Sequence, residues 1–352
     1  MLNDISRLIR SKLSQRPTAD LAQLPTPIHP LKNFASLLDG QELWIKRDDL
    51  TGLEGGGNKT RKLDYLVGDA IEKGADMLVT VGAIQSNHTR QTAAAAAKNN
   101  MKCALLHYGW TKDAGPYYRK VGNLFLSSMM GADLYIDETE RPIEDQGPLS
   151  DFVEHLRAHG HKPYLIDGGA SDHRLGTLGY LGCAQEIVEQ CKERNIQFDY
   201  VVQCTGSSST QAGLVAGFAA MGQKTRVIGI ADDEETIIKR ERVLKLANEV
   251  LQLTDIPGKV LDDDVEIIAA DKSHYGERDA KTMDAIRLFA KKEALIADPV
   301  YEGKAIRGLL ELNEQGRFEK GSKILLMHLG GGPAIHAYAN QFDHIELREL
   351  PI

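Results

Sequence analysis

The chain has 352 residues, 42% of them hydrophobic and 26% charged, with a formal net charge of −8. That length exceeds one ordinary core and predicts two α/β lobes, while the acidic balance argues against nucleic acid and anionic membranes, both of which are bound through excess Lys and Arg. No apolar run is long enough to span a bilayer, and Cys103, Cys183, Cys191 and Cys204, scattered without CxxC spacing, indicate neither a disulfide framework nor a zinc site and fit a reducing cytosol.

In chain order, Leu2, Ile5, Leu8, Ile9 and Leu13 recur at helical spacing and predict a packing helix. Asp4 and the lack of a continuous apolar stretch argue against a secretory signal. A polar strand end at 44–49 then leads into a glycine run and a helix over 59–73. Further strands are predicted at 77–81, 103–107, 133–137, 200–204, 226–230, 265–269 and 323–328. Helices are predicted at 87–99, 175–194, 210–221, 279–292 and 303–315, and residues 138–150, with Pro142, Gly147 and Pro148, as a surface loop. Such alternation implies an α/β fold of parallel sheets covered by helices on both faces. Ligands in these folds bind outside the carboxyl ends of the strands.

The segments at those ends carry the chemistry. Residues 55–62, Gly-Gly-Gly-Asn-Lys-Thr-Arg-Lys, place Lys59 at a helix N-terminus beside Lys62. Glycines let the backbone approach a ligand, and the helix end offers unpaired N–H groups and positive charge, which suits an anionic cofactor and eases deprotonation of a lysine for Schiff-base chemistry. A plain glycine turn before a solvated basic helix has the same composition. Ser86 or Asn87, opening an alanine-rich helix, is either its N-cap or a hydroxyl at the mouth of a sheet. The run Thr205-Gly206-Ser207-Ser208-Ser209-Thr210 lies between a strand and a helix, as a phosphate cradle would. It lacks the Gly-Lys-Ser/Thr of a Walker loop, so a nucleotide is not expected. Tyr275 and Tyr301 offer phenols for proton transfer or carboxylate binding, and equally serve as packing residues. The 11 histidines are assigned to surface or capping roles and to no metal.

Together these segments resemble the 1-aminocyclopropane-1-carboxylate (ACC) deaminase and D-cysteine desulfhydrase family of fold type II pyridoxal-phosphate (PLP) enzymes, over about 24–338. The resemblance rests on Leu-Pro-Thr-Pro-Ile at 24–28, Ile-Lys-Arg-Asp-Asp at 45–49, Gly-Gly-Asn-Lys-Thr-Arg-Lys-Leu at 56–63 and Gln-Ser-Asn-His-Thr-Arg-Gln at 85–91. Thr-Gln-Ala-Gly-Leu at 210–214 and Asp-Pro-Val-Tyr-Glu-Gly-Lys at 298–304 extend it. It implies a two-lobed, tryptophan synthase β-like fold, with 1–61 and 173–352 as the large PLP-binding lobe and 62–172 as the small one. By the same resemblance Lys59 would carry PLP as a Schiff base, Asn87 would bond its phenolic oxygen, and Lys62 with Gly206, Ser207, Ser208, Ser209 and Thr210 would hold its phosphate. Ser86, Tyr275 and Tyr301 would act on a small amino-acid substrate lined by Asn87, His88, Trp110, Leu329 and Gly330. A homodimer is the common assembly of such enzymes.

Subgroups of this family differ at two positions where the chain has Glu302 and Leu329, as in ACC deaminases, against a small hydroxyl residue at each in D-cysteine desulfhydrases. A carboxylate such as Glu302 against the pyridine nitrogen would favour its protonated form and make the ring a stronger electron sink. Trp110 and Val121-Gly122-Asn123 also look deaminase-like. Two departures stand out: Gly-Glu-Arg-Asp follows Tyr275 where a Gly-Leu-Pro-Asn turn is usual, and Thr-Gly-Ser-Ser-Ser-Thr matches neither subgroup. ACC deamination to 2-oxobutanoate and ammonia is therefore the expected activity, with D-cysteine desulfhydration, or a catalytically silent PLP or amino-acid binder, as the alternatives.

Overall fold

A computed structural model describes residues 2–111, 115–139, 147–168, 173–232, 235–269, 279–342, 347, 348 and 350. The elements run α1 (Leu2–Ser14), β1 (Ile28–Pro30), α2 (Lys32–Ala35), β2 (Glu42–Arg47), α3 (Asn58–Glu72), β3 (Met77–Ala83), α4 (Asn87–Lys98), β4 (Lys102–Tyr108), α5 (Gly122–Met129), β5 (Asp133–Asp137), α6 (Gly147–Ala158) and β6 (Pro163–Ile166). There follow α7 (Arg174–Arg194), β7 (Tyr200–Thr205), α8 (Ser209–Ala220), β8 (Arg226–Ala231), α9 (Thr236–Thr254), β9 (Glu266–Ala269), α10 (Ala280–Glu293), α11 (Glu302–Glu314) and β10 (Lys323–His328). Among the described residues the strands form two sheets, β1-β2-β10-β7-β8-β9 and β5-β4-β3-β6, parallel throughout except for β1 against β2.

The expected α/β pattern of parallel sheets is present, and most predicted elements recur with bounds shifted by one or two residues. Two short strands and several helices were not foreseen, while the strand end expected at 44–49 is the second half of β2. β1 and β6 are short and mixed in polarity, and α5 and α9 carry apolar residues interleaved with polar ones. The predicted surface loop 138–150 is corrected at its end: residues 147–150 open α6, whose Leu149, Val153 and Leu156 are buried against the four-stranded sheet. Gly147 and Pro148 sit in a helix's first turn there, where a missing N–H costs nothing.

Both faces of the six-stranded sheet are packed. α7, α8 and α9 cover one with Leu178, Leu181, Val215 and Leu246, and α10 and α11 cover the other with Phe289, Ile306 and Leu309. Helix α1 adds Ile9 and Leu13 to the first of these layers, as its spacing predicts.

Below the start of α3 lies a buried set of charges. Arg61 makes a two-pronged pair with Asp48 (Nε–Oδ2 2.8 Å, Nη2–Oδ1 2.9 Å) and reaches Glu186 on α7 (Nη1–Oε2 2.9 Å). Lys46 pairs with the same Glu186 and with Gln190, and the Tyr180 hydroxyl donates to Asp48 (2.7 Å). Arg61 and its hydrogen bonds hold the Asp48 carboxyl below its ordinary range against the opposing effect of burial. Breaking a buried pair from one side leaves a charge without compensation, at about 3–5 kcal/mol. Arg61→Met is therefore expected to lower stability by about that amount in denaturant unfolding, and a loss within ~0.5 kcal/mol would show the network to be dispensable.

Candidate functional site

The glycine turn before α3 is shaped by backbone contact. Gly55, Gly56 and Gly57 have φ of +79°, +55° and +126°, a region that side chains disfavour. A Cβ on Gly56 would lie 1.8 Å from the Asp49 carbonyl oxygen, and one on Gly330, at φ +107°, would lie 2.7 Å from Gly57 Cα. The loop after β10 thus presses directly on the turn, and the Leu329 carbonyl accepts from Asn58 N (2.9 Å). Arg90 on α4 ties the turn down from the other side, donating to the Gly56 carbonyl (2.8 Å) and to that of Glu54.

This seat buries two lysines. Lys62 Nζ donates to Ser207 Oγ (2.9 Å) and Ser209 Oγ (2.8 Å) in the loop after β7. Among the described residues no carboxylate pairs with it; burial, and then the charge of Lys59, push its ammonium well below the ordinary lysine range. Lys59 is also held low by burial, with Cys204, Asp298, Asp232 and Glu302 acting in the opposite sense. Its Nζ stands 5.3 Å from the centre of the Tyr301 ring. Two adjacent buried ammonium groups with hydroxyls and a helix start beside them call for an anion.

The loop itself is tighter than its composition suggests. α8 begins at Ser209, so Ser209 and Thr210 lie in the helix's first turn and not in the preceding loop. Ser208 holds φ +59°, and its Oγ is buried without a hydrogen bond. Asn58 Nδ2 donates to Thr210 Oγ1 (3.1 Å), joining the loop to α3. A Cβ on Gly206 would meet Asp232 Oδ2 at 2.7 Å and Tyr301 Cε1 at 3.2 Å.

An acidic group faces the lysines from α11. Asp298 caps that helix, accepting from the amides of Val300 and Tyr301, both at 2.9 Å. Glu302 is buried, its Oε1 has no hydrogen-bond partner, and its Oε2 stands 3.6 Å from His328 Nδ1. Burial first and the neighbouring Asp298 second push the Glu302 carboxyl well above its ordinary range. Such an oxygen is suited to a cationic nitrogen.

At the mouth of the four-stranded sheet Ser86 is the N-cap of α4, its Oγ accepting from His88 N (3.2 Å) and Thr89 N (3.3 Å). The cap role and the exposed-hydroxyl role were alternatives in the sequence; capping uses only the oxygen's lone pairs, so the O–H remains able to donate. Asn87 follows, its Oδ1 accepting from Asn123 Nδ2 (2.8 Å).

Other expected residues are placed differently. The His88 ring meets Thr80 Oγ1 of β3 (2.9 Å) and is kept neutral by burial and by the two lysines. Trp110 packs on Tyr108 with ring centres 5.2 Å apart, beside the apolar layer under α6. Leu329 is buried next to the glycine turn. Tyr275 lies outside the described residues.

The assignment of histidines to surface or capping roles holds for His173, which caps α7, but His88, His107 and His328 are buried polar core. His155 and His159 on α6 do have the i, i+4 spacing of a metal motif, overlooked in the sequence; their ring centres are 4.2 Å apart. Among the described residues no group of three potential ligands is placed to hold a metal, and no helix is long and apolar enough to cross a membrane. Arg90, Asn123, Asp298 and His328 shape the site without having been assigned a role in it. Arg90, Asn123 and Asp298 stood in quoted motifs, but nothing in a sequence shows which loop a side chain braces.

Comparison with known proteins agrees with this geometry. The family model described as "Pyridoxal-phosphate dependent enzyme" matches residues 19–330. A 1-aminocyclopropane-1-carboxylate deaminase of Burkholderia vietnamiensis is 44% identical over 333 residues, 94% of this chain and 98% of that protein. One of Bradyrhizobium diazoefficiens is 44% identical over 322 residues, 90% of this chain and 95% of that protein. The crystal structure of an ACC deaminase homologue superposes with TM-score 0.85 at 34% identity, covering 95% of this chain and 97% of that one. A solved threonine deaminase shares the fold, with TM-score 0.63 at 16% identity over 93% of this chain and 97% of that one.

The raised Glu302 carboxyl has a thermodynamic consequence. Between its ordinary range and its raised value the unfolded chain releases a proton that the fold keeps, so its contribution to stability is full at low pH and is lost as pH rises. Freed of cofactor, Glu302→Gln is expected to gain stability relative to the unaltered protein between about pH 4 and about pH 8. Thermal unfolding at both pH values checks this, and a gap that does not change would contradict it.

Proposed function

Because the chain belongs to the pyridoxal-phosphate dependent enzymes, we propose that it deaminates 1-aminocyclopropane-1-carboxylate, converting it with water to 2-oxobutanoate and ammonia. The observation that carries this reading is the pairing of two buried lysines, one of them without a carboxylate, with a buried carboxyl oxygen that has no hydrogen-bond partner. An anionic phosphate and a cationic ring nitrogen complete those charges. Bound there, PLP supplies an electron sink for bond cleavage beside the substrate's amino group.

The residues divide the work as follows. Lys59 would hold the cofactor through its amine, which the burial that lowers its ammonium pKa keeps available as a nucleophile. Lys62, with Gly206, Ser207, Ser208, Ser209 and Thr210, holds the phosphate through the two hydroxyl-linked contacts and the first-turn amides of α8. Asn87 would donate from its Nδ2 to the phenolic oxygen. Glu302, with an oxygen that has no partner among the described residues, would hold a protonated ring nitrogen, the stronger electron sink needed for a substrate with no α-hydrogen. Ser86 donates its O–H to the substrate while its lone pairs cap α4. Tyr301, close to Lys59 Nζ, and Tyr275 move protons. Leu329 and Gly330 form the substrate wall, with His88 and Trp110 behind the mouth as supports of its shape.

We also assign residues 62–172 to a small lobe and 1–61 with 173–352 to a large one. The strands of the four-stranded sheet fall within 77–166 and those of the six-stranded sheet within 28–47 and 200–328, which supports this division. A cytoplasmic homodimer is the assembly we assign to it. D-Cysteine desulfhydration is the competing activity, and a panel of ACC, D-cysteine, L-cysteine and D-serine assayed for 2-oxoacid and sulfide separates the two. Sulfide from D-cysteine with ACC untouched would overturn the proposal.

Borohydride reduction of the holoenzyme followed by peptide mapping is expected to label Lys59, and a label on Lys62 or Lys304 would refute its role. Lys59→Ala should lose essentially all turnover and remain folded by circular dichroism. The double change Glu302→Ser with Leu329→Thr should lower ACC turnover and raise sulfide release from D-cysteine, with effects that do not add because both act on one intermediate. No movement in the ratio of the two activities would remove these positions as selectors.

A further inference from the structure

Around the mouth of the four-stranded sheet, one guanidinium and two asparagine amides form a chain of hydrogen bonds whose polarity is fixed. Arg90 has only donors. Its Nε donates to Asn123 Oδ1 (2.8 Å). Asn123, in the first turn of α5, donates from Nδ2 to the backbone carbonyl of Gln85 (2.8 Å), which can only accept. Both ends of the Asn123 amide are thereby assigned without ambiguity. The same Nδ2 donates to Asn87 Oδ1 (2.8 Å). Asn87 must therefore turn its oxygen to Asn123 and its own Nδ2 away, and among the described residues that Nδ2 has no hydrogen-bond partner.

We propose that Asn123 is a positioning residue of the cofactor site, holding the Asn87 amide with its N–H outward so that it meets the phenolic oxygen of PLP. This rests on the role given to Asn87 above. An asparagine amide presents a donor or an acceptor according to a half turn of its last torsion, and an oxyanion is bound by one face and repelled by the other. Asn123 removes the repelling face before the cofactor arrives. Arg90 extends the arrangement, since its remaining donors hold the Glu54 and Gly56 carbonyls of the turn that leads to Lys59. One guanidinium thus sets both the turn and, through Asn123, the direction of Asn87.

Asn123→Asp tests this at constant shape. The carboxylate still accepts from Arg90, but it cannot donate to Asn87, whose amide then turns its oxygen to the cofactor. With PLP as the probe, affinity measured by fluorescence titration is expected to fall about 10-fold or more. The pH midpoint of the bound cofactor's visible band is expected to rise by about one unit, while unfolding of the cofactor-free protein shifts by only a few degrees. Asn87→Ala should reproduce the spectral shift, and Asn123→Asp should add nothing in the Asn87→Ala background. Asn123→Ala, which lets Asn87 turn either way, should give a smaller shift of the same sign and serves if Asn123→Asp does not fold. If Asn87→Ala leaves band and affinity unchanged, the role of Asn87 is wrong and the inference falls with it. If Asn87→Ala shifts both and the Asn123 variants do not, the positioning role alone is overturned. Effects of Asn123→Asp that persist undiminished without Asn87 overturn it as well.

Discussion

The site depends on where the first turn of α3 is held, and that is set by the Arg61 guanidinium beneath it. Lys59, Arg61 and Lys62 stand within one helical turn, and only Arg61 points into a full set of carboxylates, those of Asp48 and Glu186. A rigid planar group bonded along two edges fixes the rotation of the helix about its axis, and so the directions of the two lysines beside it. Three charges of like sign in a row are tolerable because one is neutralised in place and the other two are arranged for an external anion. The desolvation cost of a buried ion network makes it a poor source of stability but a good source of orientation.

The same division, between charges satisfied inside the chain and charges left for a ligand, recurs on α11. Asp298 spends its lone pairs on the helix start, accepting from successive amides, whereas Glu302 four residues later keeps an oxygen with no partner. Lys239 illustrates the satisfied kind: it is buried yet bonded to Asp232 and to the Gly206 carbonyl of the phosphate loop. The contrast between neighbouring buried charges separates scaffold from site more sharply than burial alone does.

Much of this was legible in the sequence because it is local. The glycines at 55–57 announced a tight turn, Ser86 or Asn87 offered a cap at the start of α4, and the alternation of strands and helices announced parallel sheets. Family-level resemblance added which lysine to assign to the cofactor. What stayed hidden depends on contacts distant in sequence. Lys46 could be seen as part of a motif, yet its partners Glu186 and Gln190 lie about 140 residues on, in a helix whose own pattern gives no sign of a charge to be met. Gly330 is held to glycine by a φ of +107° and by the approach of Gly57, neither of which its own sequence neighbours announce. Helix α6 was missed because Gly147 and Pro148 are loop residues by composition and helix starters by position.

The unmatched charge of Lys62 reaches beyond catalysis. On the role proposed for Lys62, a fold that buries this amine against two serine hydroxyls and disfavours its charged form is less stable by itself than it would be with a phosphate in place. Binding returns that difference by mass action, so the folded population grows with the logarithm of free cofactor. Scarcity of the cofactor then shifts the population toward unfolded chains, which are open to proteolysis, so cofactor supply bears on how long the protein lasts as well as on how fast it works.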